Sequence, residues 1–228
     1  MIAQKRQDAG LDLYVVTSNG MTANAPALWL EARNLDAGAR FLPARIDASN
    51  SKCSGLLAME DVDGALAVSQ LANTDSAFTA NYRTSVYKQF DTADAKFAAG
   101  NIDGDGIDDL VVLAPLSEST GTRVWTMKGG APFGPVHEAA TLADVSFADS
   151  MPALIHRNGH ESEASLVLFR RANVSLQEFY FTGGAPSMSG YDFDKSFALG
   201  PVQIWGDLPG LFSESLWLKS LAYWQKQN

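Results

Sequence analysis

Apolar residues along this chain come in short bursts rather than in helical stripes. L-Y-V-V begins at Leu13, L-A-V at Leu66, L-V-V-L at Leu110, L-V-L-F at Leu166 and L-W-L at Leu216. Each burst is rich in Val, Leu or aromatic residues and is bounded by Gly, Pro, Asn or Asp, the pattern of a strand that ends in a turn. No convincing run of helical periodicity interrupts them. The tail, Leu216–Gln227, would suit a short helix, but its Trp and Tyr also fit a strand pair.

The bursts recur. Their starts lie 53, 44, 56 and 50 residues apart, and an aromatic follows four of them by 14 to 16 residues, at Trp29, Tyr82, Trp125 and Tyr180. The run G-G-A-P occurs at Gly129–Pro132 and again 54 residues later at Gly183–Pro186. A weaker copy, D-A-G-A-R-F-L-P (Asp36–Pro43), parallels K-G-G-A-P-F-G-P (Lys128–Pro135). A period of about 50 residues with about four short strands per unit is the spacing of β-propeller blades. A sandwich with chance repetition is the alternative, and the paired G-G-A-P runs weigh against it. The expected fold is an all-β propeller of about five units in a single domain, 1–228, with units near 1–50, 51–94, 95–145, 146–195 and 196–228. Such a ring either closes on itself or forms part of a larger propeller, since a lone open one would leave strand edges unpaired. The regularly placed aromatics point to packing between units rather than to a sugar-binding face.

Charge and composition narrow the function. The formal net charge is −9 over 228 residues, with charged residues at only 19% and hydrophobic ones at 46%, so a packed core is expected and disorder is not. An acidic surface repels phosphate, which argues against nucleic acid and anionic membranes as partners and suits cations. Cys53 is the single cysteine, so neither an intramolecular disulfide nor a Cys-rich zinc site can form. No apolar stretch approaches the roughly 20 residues of a membrane helix, so no membrane insertion is expected. The first residues, M-I-A-Q-K-R-Q-D, lack the apolar region of a signal peptide, as a mature or excised piece of a longer chain also would.

The most informative segment is F-A-A-G-N-I-D-G-D-G-I-D-D-L-V-V-L-A-P, Phe97 to Pro115. Counted from Asn101, oxygen-bearing side chains fall at positions 1, 3, 5 and 9, as Asn101, Asp103, Asp105 and Asp109. Position 7 is Ile107, which can offer only its carbonyl. Calcium takes six to eight hard oxygen ligands, and alternating side chains on a curled loop bring several to one point. Gly104 and Gly106 permit the curl. Asp108 is expected to point to solvent. The competing reading is an Asp/Gly-rich surface hairpin with no metal, because the same residues favour turns.

Phe97–Pro115 resembles an FG-GAP or VCBS-type repeat, the unit of integrin-α-like β-propellers. The resemblance implies a Phe-containing strand, a calcium hairpin of D-x-D-x-D-G-x-x-D type and a strand of D-L-x-V type. It assigns Ca²⁺ to Asn101, Asp103, Asp105, Ile107 (through its carbonyl) and Asp109. This chain departs from the pattern with Asn at the first position and Gly at the fourth. The other units match faintly: Asp8 and Asp12 in the first, Asp61 and Asp63 in a shortened second, none in the fourth, Asp207 in the last. One good calcium site, a weak second one and three hairpins held by packing are expected. The resemblance further implies a non-catalytic, calcium-stabilised module for protein or glycan ligands, at the cell surface or outside the cell. The alternative is the propeller domain of a polysaccharide-active enzyme, a lyase or hydrolase.

Other chemistry is sparse. His156, His160, Glu161 and Glu163 fall within eight residues and could suit a transition metal. They also read as the flanks of an Asn158-Gly159 hairpin turn, which would leave both rings exposed and without metal. His137 has no visible partner. The pairs Glu161/Glu163 and Asp192/Asp194 are of a kind any acidic β-protein offers. With no G-x-S-x-G, phosphate loop or H-E-x-x-H, no catalytic residue is assigned.

Overall fold

The computed structural model describes residues 2–5, 10–16, 24–32, 35–36, 38–48, 55–74, 76–89, 92–116, 120–157, 160–170, 175–181 and 188–192. Every regular element among them is a β-strand. By its contacts the chain divides into Met1–Ala198 and Leu199–Asn228. The second unit, and with it the Leu216 run and the expected unit 196–228, lies outside the described residues.

Four antiparallel sheets follow one another along the first unit. The first has three strands: β1 (Ile2–Lys5), β2 (Leu11–Val15) and β3 (Ala27–Ala32). The second has β4 (Arg40–Ala44), β5 (Gly55–Val62), β6 (Ala65–Asn73) and β7 (Phe78–Tyr87). The third has β8 (Lys96–Gly100), β9 (Asp109–Pro115), β10 (Thr122–Met127) and β11 (Val136–Leu142). The fourth has β12 (Ser150–Arg157), β13 (His160–Arg170), β14 (Ser175–Phe181) and β15 (Met188–Asp192). Each is a simple meander, with strands paired in chain order.

Period-two alternation decides how these sheets stack. On β9, Leu110, Val112 and Ala114 face a core shared with Leu57, Met59, Leu66 and Val68 of the second sheet. The intervening Val111 and Leu113 face the opposite way, into a core with Leu166, Leu168 and Phe179 of the fourth. On β5, Leu56 and Ala58 turn away from the third sheet and join Leu11 and Leu13 of the first. The middle sheets are thus covered on both faces, so their strands read as continuous apolar runs rather than as apolar–polar alternation. Leu110 and Leu113 are both fully buried. Full burial of each contributes about 1.5–3 kcal/mol.

The first strands β4, β8 and β12 lie side by side at the sheet edges, β8 against both of the others. Pro43 on β4 and Pro152 on β12 are tolerated there because an edge strand can spare a ladder donor. No closed ring is formed by the described residues. The observed class is therefore all-β, with several antiparallel sheets in succession.

A repeated device joins these first strands. Arg40, at the start of β4, donates to the carbonyls of Ala95, Thr92 and Ala93 (2.5, 2.8 and 3.1 Å) just ahead of β8. Lys96, at the start of β8, donates to the carbonyls of Phe147, Ala148 and Ser150 at the entry to β12. Each cation also lies over an aromatic ring, Arg40 over Phe97 and Lys96 over Phe147. Arg40-Phe41 is therefore the structural counterpart of Lys96-Phe97. The sequence parallel of Asp36–Pro43 with Lys128–Pro135 does not hold, because Arg40 opens a first strand whereas Lys128 follows the third strand of its sheet.

The proposed boundary at 50/51 falls between β4 and β5, which pair within one sheet from Arg40↔Met59 to Ala44↔Gly55. Leu66 lies on the third strand of its sheet, whereas Leu110 and Leu166 lie on the second of theirs.

Candidate metal centre

The loop from Asn101 to Asp108 joins β8 to β9, the first two strands of the third sheet. Gly104 and Gly106 have φ of 82° and 88°. That left-handed backbone curls the chain between the oxygen-bearing residues and is ordinary only for glycine. Within the curl, Asn101, Asp103 and Asp105 each use one side-chain oxygen to hold the loop itself. Asn101 Oδ1 accepts from the Gly104 amide at 2.8 Å, Asp103 Oδ1 from the Asp105 amide at 3.1 Å, and Asp105 Oδ1 from the Ile107 amide at 2.9 Å.

That leaves the Oδ2 atoms of Asp103 and Asp105, and both meet the Lys128 ammonium. Asp105 Oδ2 lies 3.2 Å from Nζ, and Asp103 Oδ2 is directly hydrogen-bonded to it. Lys128 follows β10, and its side chain is 60% exposed. Burial pushes the Asp103 carboxyl up. The Lys128 hydrogen bond and charge, with the Asp105 amide, outweigh that and hold it below the ordinary carboxylate range. The same two carboxylates push the Lys128 ammonium above the ordinary lysine range, its hydrogen bond to Asp103 first.

Asp109 is placed differently. It opens β9 and is buried, with 1% of its surface exposed. Its two oxygens accept from the Ile102 amide at 2.9 Å and the Gly129 amide at 2.6 Å. Its pKa is pushed up to about 6, first by burial and then by the charges of Asp103 and Asp105, against the pull of the two amides. Like charges crowd this loop, and a bound cation would offset them.

The loop is also tied to both neighbouring sheets. The Asn101 carbonyl accepts from the Ala164 amide on β13 at 2.6 Å. At the other end Asp108 Oδ2 accepts from the Arg45 amide at 2.7 Å, and the Asp108 amide donates to the Arg45 carbonyl at 2.8 Å. Asp108 therefore does not point to solvent: it clasps the segment that follows β4. The G-G-A-P run packs onto the same place. A Cβ on Gly129 would lie 2.4 Å from the Asp108 carbonyl oxygen, so only glycine lets the two loops approach. From the second sheet, Gln70 donates to the Gly130 carbonyl, and the Tyr87 hydroxyl donates to the Gly134 carbonyl at 2.9 Å.

The donors of this loop are all hard oxygens: one amide, three carboxylates and, at Ile107, a carbonyl. They fit a calcium ion in kind, and two of them already share one cationic group. Among the described residues, no three His, Cys, Asp or Glu side chains are gathered closely enough to hold a metal by themselves. Two loop carboxylates face Lys128 and the third faces amides.

Elsewhere the candidates thin out. Asp61 and Asp63 belong to the β5–β6 hairpin, between the second and third strands of their sheet. Asp63 and Gly64 (φ 53° and 78°) form its two-residue turn, and Asp61 Oδ1 accepts from the Gly64 amide at 2.8 Å. A two-residue turn has no room for the nine-residue ligand spacing, so Asp61 and Asp63 do not form a second loop of the Asn101–Asp109 kind. His137 is exposed on β11. The side chains of His156, His160 and Glu161, and the Asn158-Gly159 turn, lie outside the described residues, as do Asp8, Asp194, Asp207, the second G-G-A-P run and the side chain of Tyr82. Trp29 packs against Phe78 of the next sheet, with centroids 5.2 Å apart, and Trp125 packs against the core between the second and third sheets.

Lys128 and Arg45 were not singled out by sequence. The one available signal was a basic residue directly before G-G-A-P in an acidic chain. Residues 95–127, which hold this loop and strands β8 to β10, match the family model of the FG-GAP repeat. No curated protein and no solved structure matches the chain.

Proposed function

We propose that Asn101, Asp103, Asp105, the Ile107 carbonyl and Asp109 bind one Ca²⁺, and that this ion is structural. The observation that carries the reading is that Asp103 Oδ2 and Asp105 Oδ2, both in the segment that matches an FG-GAP repeat, meet on one cationic group, the Lys128 ammonium. When bound, the ion would offset the mutual repulsion of Asp103, Asp105 and Asp109. The loop it stiffens is bonded to Ala164 on one side and Arg45 on the other, so calcium would tighten the junction of three sheets.

In this reading the chain is a non-catalytic, propeller-type module of about five units. Its connecting loops would serve protein or carbohydrate ligands at the cell surface or outside the cell. Meandering sheets stacked face to face, with β4, β8 and β12 side by side, support that geometry. The test has two arms. Calorimetric titration of the metal-stripped chain should give one calcium per chain. A glycan array run with and without calcium should then give calcium-dependent binding if the ligand is a glycan. Absence of calcium binding by both the chain and its Lys128→Met variant would refute the metal reading.

A further inference from the structure

We propose that Lys128 is a built-in competitor of the metal: its ammonium occupies the cation position between Asp103 and Asp105, and calcium enters only as that ammonium swings out. The inference rests on the calcium reading above and adds a residue outside the ligand set that sets the affinity.

Three features support it. First, the ammonium engages the oxygens a metal would need. In Asp103 and Asp105 the Oδ1 atoms are spent on amides of the loop itself, and the Oδ2 atoms are the ones turned to Nζ. Second, the lysine is free to leave. Its side chain is 60% exposed, so departure returns the ammonium to water without opening the core. Third, its backbone is fixed independently of that ion pair. The Lys128 carbonyl accepts from the Gly134 amide at 2.9 Å, and the next residue's amide is held by Asp109. The stem therefore stays at the loop whichever way the side chain points.

Two cations at contact distance from one pair of carboxylate oxygens repel each other and compete for the same lone pairs. Calcium must release the ammonium, and the lost ion pair is subtracted from the affinity. The metal-free loop in turn keeps an internal counter-ion, which limits how far it loosens when calcium is scarce. Lys128 would thereby both weaken calcium binding and protect the loop without it.

The test compares the intact chain with Lys128→Met, which keeps the aliphatic stem, and with Lys88→Met, which removes one charge from another exposed position. Calcium dissociation constants by calorimetry and melting temperatures in EDTA and in calcium are measured for all three. Lys128→Met should bind calcium roughly three- to tenfold more tightly than the intact chain, the range that an exposed ion pair engaging two carboxylates can supply. It should melt lower in EDTA and gain more from calcium. Lys88→Met should match the intact chain. Calcium binding by Lys128→Met alone would also support the competition, and would show that the lysine replaces the metal in the intact chain. Equal or weaker calcium binding by Lys128→Met, with the intact chain binding normally, would overturn the competition and leave the calcium site standing. Absence of calcium binding by both would overturn the site itself.

Discussion

Asp108 and Arg45, 63 residues apart, clasp each other by two hydrogen bonds: the Arg45 amide to Asp108 Oδ2 and the Asp108 amide to the Arg45 carbonyl. One bond uses the side chain and the other does not, so substitution removes half of the clasp. Asp108→Ala should cost about 1 kcal/mol of stability, the worth of one hydrogen bond to a partly exposed carboxylate. The loss should be similar in calcium and in EDTA, because Asp108 is outside the ligand set. Chemical denaturation in both buffers measures it.

Gly129 makes a sharper prediction. An added methyl group would collide with the Asp108 carbonyl oxygen, a backbone atom that cannot move without shifting the Asn101–Asp108 loop. Gly129→Ala should destabilise by about 1–3 kcal/mol, the usual range for overpacking. It should also weaken calcium binding. Thermal unfolding and calorimetric titration report the two effects separately.

Lys96 bonds the carbonyls of Phe147, Ala148 and Ser150 and lies 4.3 Å from the Phe147 ring centroid. Lys96→Met keeps the stem but takes a charged donor from three carbonyls, of which that of Phe147 keeps the Ser150 amide. A loss of about 2 kcal/mol is expected in denaturant unfolding, since bonds from a charged donor are the stronger kind. Arg40→Met should behave alike at the preceding junction.

Glu60 supplies a pH dependence. Burial raises its pKa first; the Asp36 amide works against that and the Asp36 charge adds to it, and the net shift is upward. The folded state therefore holds this proton to higher pH than the unfolded chain does. Its contribution to stability is fully present below the unfolded pKa and declines as pH rises through the folded one. Glu60→Gln should remove that decline, flattening the stability profile above the ordinary glutamate pKa of 4.5. Unfolding curves across the acid range check it.

These features differ in how far sequence reveals them. Short Val- and Leu-rich bursts between Gly and Asp declared strands, and the run from Asn101 to Asp109 declared a curled acidic loop, because alternation and turn chemistry are local. The position of each strand within its sheet was less legible. E-D-V-D-G at residues 60–64 looks like a shortened copy of the metal loop, yet it turns between the second and third strands. Asp and Gly serve a two-residue turn as readily as a ligand loop, and nothing local counts strands. The Arg40 and Lys96 contacts were hidden because their partners are backbone carbonyls, which any residue carries. Lys128 was hidden because its two carboxylates lie 25 and 23 residues away in sequence.

The account turns most directly on the melting temperature of the chain in calcium and in EDTA. Calcium that binds only the folded state adds RT ln(1 + [L]/Kd), about 2.7 kcal/mol at a hundredfold excess over Kd. For a chain of this size that is a rise of roughly 5–10 °C. Asp105→Ala should abolish most of the rise, and magnesium should reproduce it poorly because it demands a tighter octahedral shell. Equal melting in calcium and in EDTA, for both the intact chain and Lys128→Met, would contradict the account and leave Asn101–Asp109 as a hairpin loop closed by its lysine.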